Sequence, residues 1–296
     1  MIIVTLIAAG RLTRDNIHDA RRLVADAGLE SPGWRWLDEG DAADIEVEGS
    51  PTAVGSLRAR LREGLVGIDV VVQLAEHRAK QLFVADMDST MVGQECIDEL
   101  ADYAGLKAPI AAITERAMQG EIDFRQALEE RVAALSGLGI VQIERCRRDK
   151  ISHNPGAATL VRTLRARGAT TLLVTGGFHD FADPLAAQLG FSEVRANSLE
   201  SMHGHLTGRV VGEIVDSAAK RAALVEFREQ MGLAPHQVMA VGDGANDLPM
   251  IEEAGLGVAY HAKPRLAQAA DVRIDHNDLT ALLWAQGIPR REWVAT

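Results

Sequence analysis

The stretch that decides the fold is Gln81–Thr90, QLFVADMDST. Its first part, Leu82–Ala85, is a short apolar run of the kind that forms a fully buried strand in a parallel sheet. Asp86 and Asp88 follow at the strand end where open α/β sheets bind their ligands, and they point the same way because strand side chains alternate. Two carboxylates this close repel each other unless a cation or a proton separates them. The pair is therefore costly as scaffolding and suited to chemistry, although acids at this spacing are also common in solvated loops.

The composition is that of an ordinary globular chain. It has 296 residues, 47% of them hydrophobic and 25% charged, which is enough for a large core and favours two domains over one. The formal net charge of −11 argues against nucleic acid and against an anionic membrane as partners. Any phosphate site must therefore be built from local groups.

The cysteines and the N-terminus indicate where the protein works. Cys96 and Cys146 show neither metal-ligand spacing nor a disulfide framework. The opening MIIVTLIA has no basic region before it and is too short to cross a bilayer, so we interpret it as a strand. We expect a reducing, cytoplasmic location.

Residues 1–78 are predicted to form a unit of their own. Strand-like runs at Ile2–Ala8, Gly33–Leu37, Ile45–Glu48 and Ile68–Leu74 are interleaved with two stretches of helical periodicity. This β-α-β-β-α-β order predicts a small ferredoxin-like α+β domain. The unit resembles ACT-like domains, which often bind amino acids or dimerise. The sequence leaves an effector site, a homodimer contact and a purely structural role open.

After the opening strand the chain does not return to the sheet until Pro155. The intervening residues, about 92–152, carry helical stripes that predict a helical cap over the strand end. In the third predicted helix Arg131 shares an apolar face with Phe124, where an unpaired guanidinium is costly. It either reaches water from the helix edge or awaits a carboxylate. Glu95 opens the first cap helix, only a few residues past Asp88.

Beyond Pro155 strands and helices alternate, as in a doubly wound sheet. One buried strand ends in Thr175-Gly176-Gly177, whose hydroxyl and open backbone N–H groups suit a phosphate. Lys220 stands near the start of a later helix. A further strand ends in GDGAND, residues 242–247, whose oxygens suit a hard cation. Each signal is weak alone, but together with the carboxylate pair they predict one crevice at the strand ends.

These segments resemble the haloacid dehalogenase superfamily of phosphotransferases and, within it, the phosphoserine phosphatases. The resemblance covers about residues 80–290 and rests on DMDSTMVGQECIDELA, ITERAMQGEIDFRQALEERVA, VTGGF and VGDGANDLPMIEEAGLGVAYHAKP. It implies a doubly wound parallel sheet with a helical cap in residues 79–296, after the ACT-like domain. No catalytic position is missing, and Thr175 keeps a hydroxyl where some relatives have serine.

The resemblance also implies a role for each candidate residue. Asp86 would be the nucleophile that forms an aspartyl-phosphate, and Asp88 the acid and base of both half-reactions. Mg²⁺ would be held by Asp86, the backbone carbonyl of Asp88 and Asp243, with Asp247 close by. The remaining candidates would bind the substrate: Thr175, Gly176, Gly177, Lys220 and Asn246 its phosphoryl group, Glu95 its ammonium, Arg131 its carboxylate, with Phe124 packing against it and Met118 closing the lid.

The implied function is hydrolysis of the small molecule O-phosphoserine to serine and phosphate, the last step of serine biosynthesis. A related phosphomonoesterase or phosphotransferase would have the same nucleophile and metal site, and only the acceptor in the second half-reaction would distinguish it. A regulatory amino-acid sensor with an inert core is a third interpretation. The intact set Asp86, Asp88, Lys220 and Asp243 argues against that sensor.

Overall fold

The computed structural model describes residues 1–118 and 121–295, without the side chain of Met118. Within this part the chain forms two β-sheets, one of four strands and one of seven. No helix among the described residues is long and apolar enough to cross a membrane.

The first sheet belongs to the N-terminal unit and is antiparallel. Its strands and helices are β1 (Ile2–Ile7), α1 (Arg14–Asp26), β2 (Glu30–Asp38), β3 (Ala42–Glu48), α2 (Val54–Gly64) and β4 (Asp69–Leu74). The strand order β2-β3-β1-β4 and the chain order are those of the predicted ferredoxin-like unit. The two helices pack on this sheet through a core of their own, to which Ile17 and Leu57 contribute.

The second sheet carries the candidate site. Its strands are β5 (Leu82–Ala85), β6 (Thr170–Phe178), β7 (Glu193–Met202), β8 (His205–Val211), β9 (Val238–Gly242), β10 (Leu256–Tyr260) and β11 (Val272–Ile274). They lie in the order β11-β10-β9-β5-β6-β7-β8, and all neighbours are parallel except β7 and β8, which form an antiparallel hairpin.

Helices cover both faces of this sheet, as predicted for a doubly wound fold. They are α7 (Ala157–Ala166), α8 (His179–Leu189), α9 (Ser217–Gln230), α10 (Leu248–Glu253), α11 (Pro264–Ala269) and α12 (Ala281–Ala285). In β5, Phe83 and Ala85 join the core on one face, while Leu82 and Val84 join the core on the other. All four are fully buried, which explains the unbroken apolar run in the sequence.

The cap consists of α3 (Cys96–Tyr103), α4 (Lys107–Met118), α5 (Phe124–Ala134) and α6 (Ile140–Lys150). Asp123, whose side chain is of the type that favours the N-cap position, accepts a hydrogen bond from the backbone N–H of Gln126 at the start of α5. The fourth helix, α6, was not predicted, because Ile143 and Cys146 are its only buried residues and leave no clear stripe. The two ends of the cap segment are joined by an isolated antiparallel bridge between Val92 and His153.

Candidate active site

The candidate site is a cavity of about 460 Å³ at the carboxyl ends of β5, β6 and β9, under the cap. This is the edge of the sheet at which the sequence predicted a crevice. Asp247 is buried behind the cavity wall, and the predicted lid contact of Met118 concerns a side chain outside the described residues. The other predicted site residues all line the cavity: Asp86, Asp88, Glu95, Phe124, Arg131, Thr175, Gly176, Gly177, Lys220, Asp243 and Asn246.

A larger cavity of about 890 Å³ lies between the N-terminal unit and the second sheet. Its walls include Arg11 from the first unit and Tyr260 and Trp284 from the second. None of the clustered carboxylates lines it, so size alone does not identify the chemical centre. The smaller cavity is the candidate because it collects the reactive groups.

Lys220 joins two carboxylates at the floor of the smaller cavity. Its Nζ donates to Asp86 Oδ1 over 2.6 Å and to Asp247 Oδ1 over 2.7 Å, and only 1% of Lys220 is exposed. The second oxygen of Asp247 accepts backbone N–H bonds from Asp243 and Gly244, both over 3.2 Å. Asp247 therefore orients the lysine and the GDGAND loop at once.

Burial changes the protonation of this cluster. It raises the pKa of Asp86 well above its usual range, and the neighbouring Asp247 raises it further. Burial alone would lower the pKa of Lys220, but Asp86 and Asp247 together raise it, so the ammonium stays charged. Burial also raises the pKa of Asp243. The cluster holds more negative charge than its one buried ammonium neutralises.

Asp88 has a different environment from Asp86. Its Oδ1 accepts the backbone N–H of Cys96 over 3.1 Å, at the start of α3. Burial and the nearby Glu95 raise the pKa of Asp88 to about 7. A carboxyl group that titrates near neutrality is suited to give and take a proton.

The acidic residues fit a divalent cation. Asp86, Asp243 and Asp247 are buried, and each offers a carboxylate oxygen within 4.8 Å of the others. Magnesium prefers such oxygen ligands, and its charge would make up the deficit of positive charge. The carboxylate of Asp88 is not part of this group. Its predicted contribution to the metal site was through its backbone carbonyl.

The Thr175-Gly176-Gly177 turn is shaped for close approach. The Thr175 hydroxyl accepts the N–H of Gly177 over 2.9 Å, which leaves its own hydrogen free to donate. A Cβ at Gly177 would lie 2.8 Å from Met87 Cε and 3.1 Å from Asp88 Oδ2, so a larger residue here would displace the end of the Met87 side chain and crowd Asp88. A Cβ at Gly176 would lie 3.3 Å from the ring of Phe124. The two glycines therefore allow the turn to pack close to Phe124 and Asp88 at the cavity wall.

Two residues that the sequence analysis did not identify support the site. Asn197 in β7 is fully buried, donates to Gly176 O over 2.8 Å and accepts the N–H of Val215 over 2.8 Å. Lys263 lines the cavity at its mouth and pairs with Asp243 over 3.2 Å. Neither follows a strand end in a recognisable motif, although Lys263 belongs to the HAKP tail of the last quoted stretch.

The cap side of the cavity carries Glu95 and Arg131. Arg131 donates from Nε to the Ala127 carbonyl over 3.2 Å, and no hydrogen-bond partner of its two Nη groups is found among the described residues. Burial lowers its pKa, against the opposing effect of Asp98 and Glu95. The guanidinium thus faces the cavity with its fork unfilled. This outcome favours the interpretation of Arg131 as an arginine awaiting a carboxylate.

Comparisons with known proteins agree with this geometry. Residues 83–252 match the haloacid dehalogenase-like hydrolase family. A phosphoserine phosphatase of Polaromonas sp. strain JS666 is 49% identical over 208 residues, which is 69% of this chain and 88% of the relative. The structure of a probable phosphoserine phosphatase from Vibrio cholerae, in its unliganded form, superposes with a TM-score of 0.76 at 31% identity, over 96% of this chain and 88% of that one. A phospho-aspartyl intermediate analogue of phosphoserine phosphatase superposes with a TM-score of 0.64 at 37% identity, over 70% and 98% of the two chains.

Proposed function

Because the chain belongs to the haloacid dehalogenase-like hydrolases, we propose that it hydrolyses O-phosphoserine to serine and phosphate, the last step of serine biosynthesis. One observation carries the proposal. A single cavity holds a buried aspartate–lysine cluster on its floor and, on its cap side, a glutamate and an arginine whose fork is unfilled. The cluster suits a phosphoryl group and the cap pair suits an amino acid.

Asp86 is the proposed nucleophile. Lys220 occupies its Oδ1, so Oδ2 is the oxygen that attacks phosphorus. The bond between phosphorus and the serine oxygen breaks, and Asp88 gives its proton to that oxygen. Asp88 then takes a proton from water, which attacks the aspartyl-phosphate and releases inorganic phosphate with Asp86 restored. The structural similarity of this chain to a phospho-aspartyl intermediate analogue of phosphoserine phosphatase supports this route.

The phosphoryl group needs positioning and positive charge more than covalent help. Lys220 supplies a buried ammonium beside the nucleophile, and the Thr175 hydroxyl supplies a neutral donor, with Gly176 and Gly177 beside it in the cavity wall. Asn246 lines the same wall. These groups would bind the phosphoryl group in the ground state and in the transition state. Their interaction with its oxygens would be strongest in the transition state, when negative charge spreads over those oxygens.

The amino-acid part is recognised from the cap. The two Nη groups of Arg131, which have no hydrogen-bond partner among the described residues, match the two oxygens of a carboxylate, and Glu95 matches the ammonium. Phe124 is 41% exposed and packs close to Gly176, so its ring forms an apolar wall beside the substrate. A phosphate ester without the carboxylate would leave Arg131 unpaired.

Mg²⁺ is the proposed cofactor. Asp86, the backbone carbonyl of Asp88 and Asp243 would hold it, with Asp247 behind them. When bound, it would neutralise the carboxylates and the phosphoryl oxygens. Asp86 then remains ionised, which its nucleophilic role requires.

Substrate preference tests the proposal. We expect Mg²⁺-dependent phosphate release with a much higher kcat/KM for phosphoserine than for phosphoethanolamine, which lacks the carboxylate. Equal kcat/KM values would favour a general small-molecule phosphomonoesterase. Transfer of phosphate to an added alcohol at the expense of phosphate release would favour a phosphotransferase.

A further inference from the structure

Ser89, in the loop after Asp86, has no role in the proposed chemistry but has an unusual backbone conformation. Ser89 has a φ of 55°, and it is one of three non-glycine residues with positive φ in the described part of the chain. A side chain in this left-handed region is unfavourable for serine unless the surrounding structure holds it there. Such a residue next to Asp88 calls for an explanation.

The strained conformation directs the hydroxyl at Glu95. Ser89 Oγ donates to Glu95 Oε1 over 3.0 Å, and the backbone N–H of Ser89 donates to the Gln94 carbonyl over 3.2 Å. The loop from Ser89 to Glu95 is thus closed by one backbone and one side-chain bond. Without the left-handed turn the hydroxyl would not point across this loop.

Glu95 depends on this contact because its own helix does not use its carboxylate. It stands at the N-cap position of α3 but makes no side-chain capping bond. The first N–H of that helix, from Cys96, goes to Asp88 instead. The Ser89 hydroxyl is the hydrogen-bond partner that the structure gives the Glu95 side chain. It occupies Oε1 and leaves Oε2 for a ligand.

We infer that Ser89 is a positioning residue that sets the substrate specificity of the site: its hydroxyl orients the Glu95 carboxylate toward the ammonium group of the substrate. This inference rests on the proposed function. Among the described residues, no hydrogen bond joins the Ser89 side chain to Asp86 or to the proposed phosphate-binding residues, so Ser89 acts on recognition of the amino group and not on phosphoryl transfer.

The test compares two isosteric substrates. In L-3-phosphoglycerate a hydroxyl replaces the ammonium of phosphoserine, while the phosphate and the carboxylate remain. Ser89→Gly removes the hydroxyl and accepts the left-handed backbone, so the loop is not strained. We expect its KM for phosphoserine to rise about tenfold, the range for a hydrogen bond to a charged group, with kcat and the KM for phosphoglycerate changed by less than about twofold.

Two further variants separate orientation from general damage to the loop. Ser89→Asn tolerates positive φ and keeps a donor, so we expect it to recover most of the lost affinity for phosphoserine. In a Glu95→Gln background, Ser89→Gly should cause little further rise in KM, because the group it orients no longer carries charge.

The outcomes distinguish this inference from the proposed function. Equal losses on the two substrates, or independent effects of Ser89→Gly and Glu95→Gln, would overturn the role of Ser89 and leave the phosphatase assignment standing. Absence of phosphoserine turnover in the wild type would overturn the assignment and the inference together.

Discussion

Two buried groups of charges invite comparison, one between the N-terminal unit and the second sheet and one in the active-site cavity. In the first, Arg78 donates to both oxygens of Asp44 over 2.6 Å, and its other donors reach Thr5 and the carbonyls of Trp284 and Ala285. The Asp44 carboxylate pairs with the buried Arg78 and, more weakly, with the exposed Arg35, and each nitrogen of the Arg78 guanidinium has an acceptor. This group stabilises the contact between the two units.

The active-site group is short of positive charge. Among the described residues, Lys220 is the buried ammonium in contact with Asp86 and Asp247, and Asp243 beside them pairs with the largely exposed Lys263. Burying charges costs little free energy when each charge has a partner of opposite sign. An unbalanced group of buried charges destabilises the folded protein until a ligand of opposite charge binds to it. Both groups are buried, and the balance of charge is what distinguishes the structural Arg78–Asp44 group from the functional group around Lys220.

Asp86→Asn should have the largest effect on activity, and it tests whether the group around Lys220 is the functional one. The amide is near-isosteric but is neither a nucleophile nor an anionic ligand, so we expect kcat to fall by about 10⁴-fold or more. Because the change removes a charge from a group with too many, the midpoint of urea unfolding without metal should not decrease. Activity near the wild-type level would exclude Asp86 as the nucleophile.

Arg78→Met should have the opposite profile. It leaves the Asp44 carboxylate buried without its main partner, so we expect a loss of about 3–5 kcal/mol in the free energy of unfolding, measured by urea titration. The phosphatase kcat of the folded fraction should be preserved.

Arg35 offers a matched control for that variant. It also reaches Asp44, over 3.4 Å, but its side chain is 67% exposed. Arg35→Met should cost no more than about 1 kcal/mol. Similar losses in the two variants would mean that burial of the Arg78 pair does not decide its contribution.

Arg131→Ala tests the third charged region, the cap side of the cavity. We expect a loss of about 2–5 kcal/mol in transition-state stabilisation for phosphoserine, calculated from kcat/KM, and little change for phosphoethanolamine. Arg131→Lys should recover only part, because a point charge cannot reproduce the planar fork. Equal fractional losses on both substrates would show that Arg131 is structural.

Lys80 gives the smallest expected effect, which is a change in the pH dependence of stability. It donates to the carbonyls of His77 and His236, and burial lowers its pKa to about 8. Between this value and the ordinary lysine value the unfolded chain binds more protons than the folded one, so the contribution of Lys80 to stability rises with pH. Relative to Lys80→Met, the wild type should gain roughly 1–3 kcal/mol between pH 7 and pH 10. A constant difference would place the Lys80 pKa at its ordinary value.

Much of the fold could be predicted because its signals are local. The apolar run of β5 and the GDGAND turn after β9 are continuous in sequence, and the N-cap Asp123 precedes its helix directly. The elements missed were α6, the short helix α10, and the sheet edge at β11 and α11. The edge elements span only three and six residues, and too few of them are buried to give a periodic pattern.

The site could be predicted wherever its residues end a strand or open a helix. Asn197 could not, since it lies within a strand and its partners Gly176 and Val215 are 21 and 18 residues away. The Asp44–Arg78 pair spans 34 residues and connects two units whose docking no local pattern encodes. The boundary near residue 78, placed between these units, stays a prediction.

The central claim is that the unbalanced carboxylate group, completed by a divalent cation, hydrolyses phosphoserine. The most direct measurement is the initial rate of phosphate release from phosphoserine by the full chain, first stripped of metal by a chelator and then titrated with Mg²⁺. We expect negligible phosphate release without metal. In the wild type the rate of release should recover with Mg²⁺ and saturate, whereas in Asp86→Asn it should not recover. Release that is equally fast with and without metal, or recovery in Asp86→Asn, would contradict the central claim.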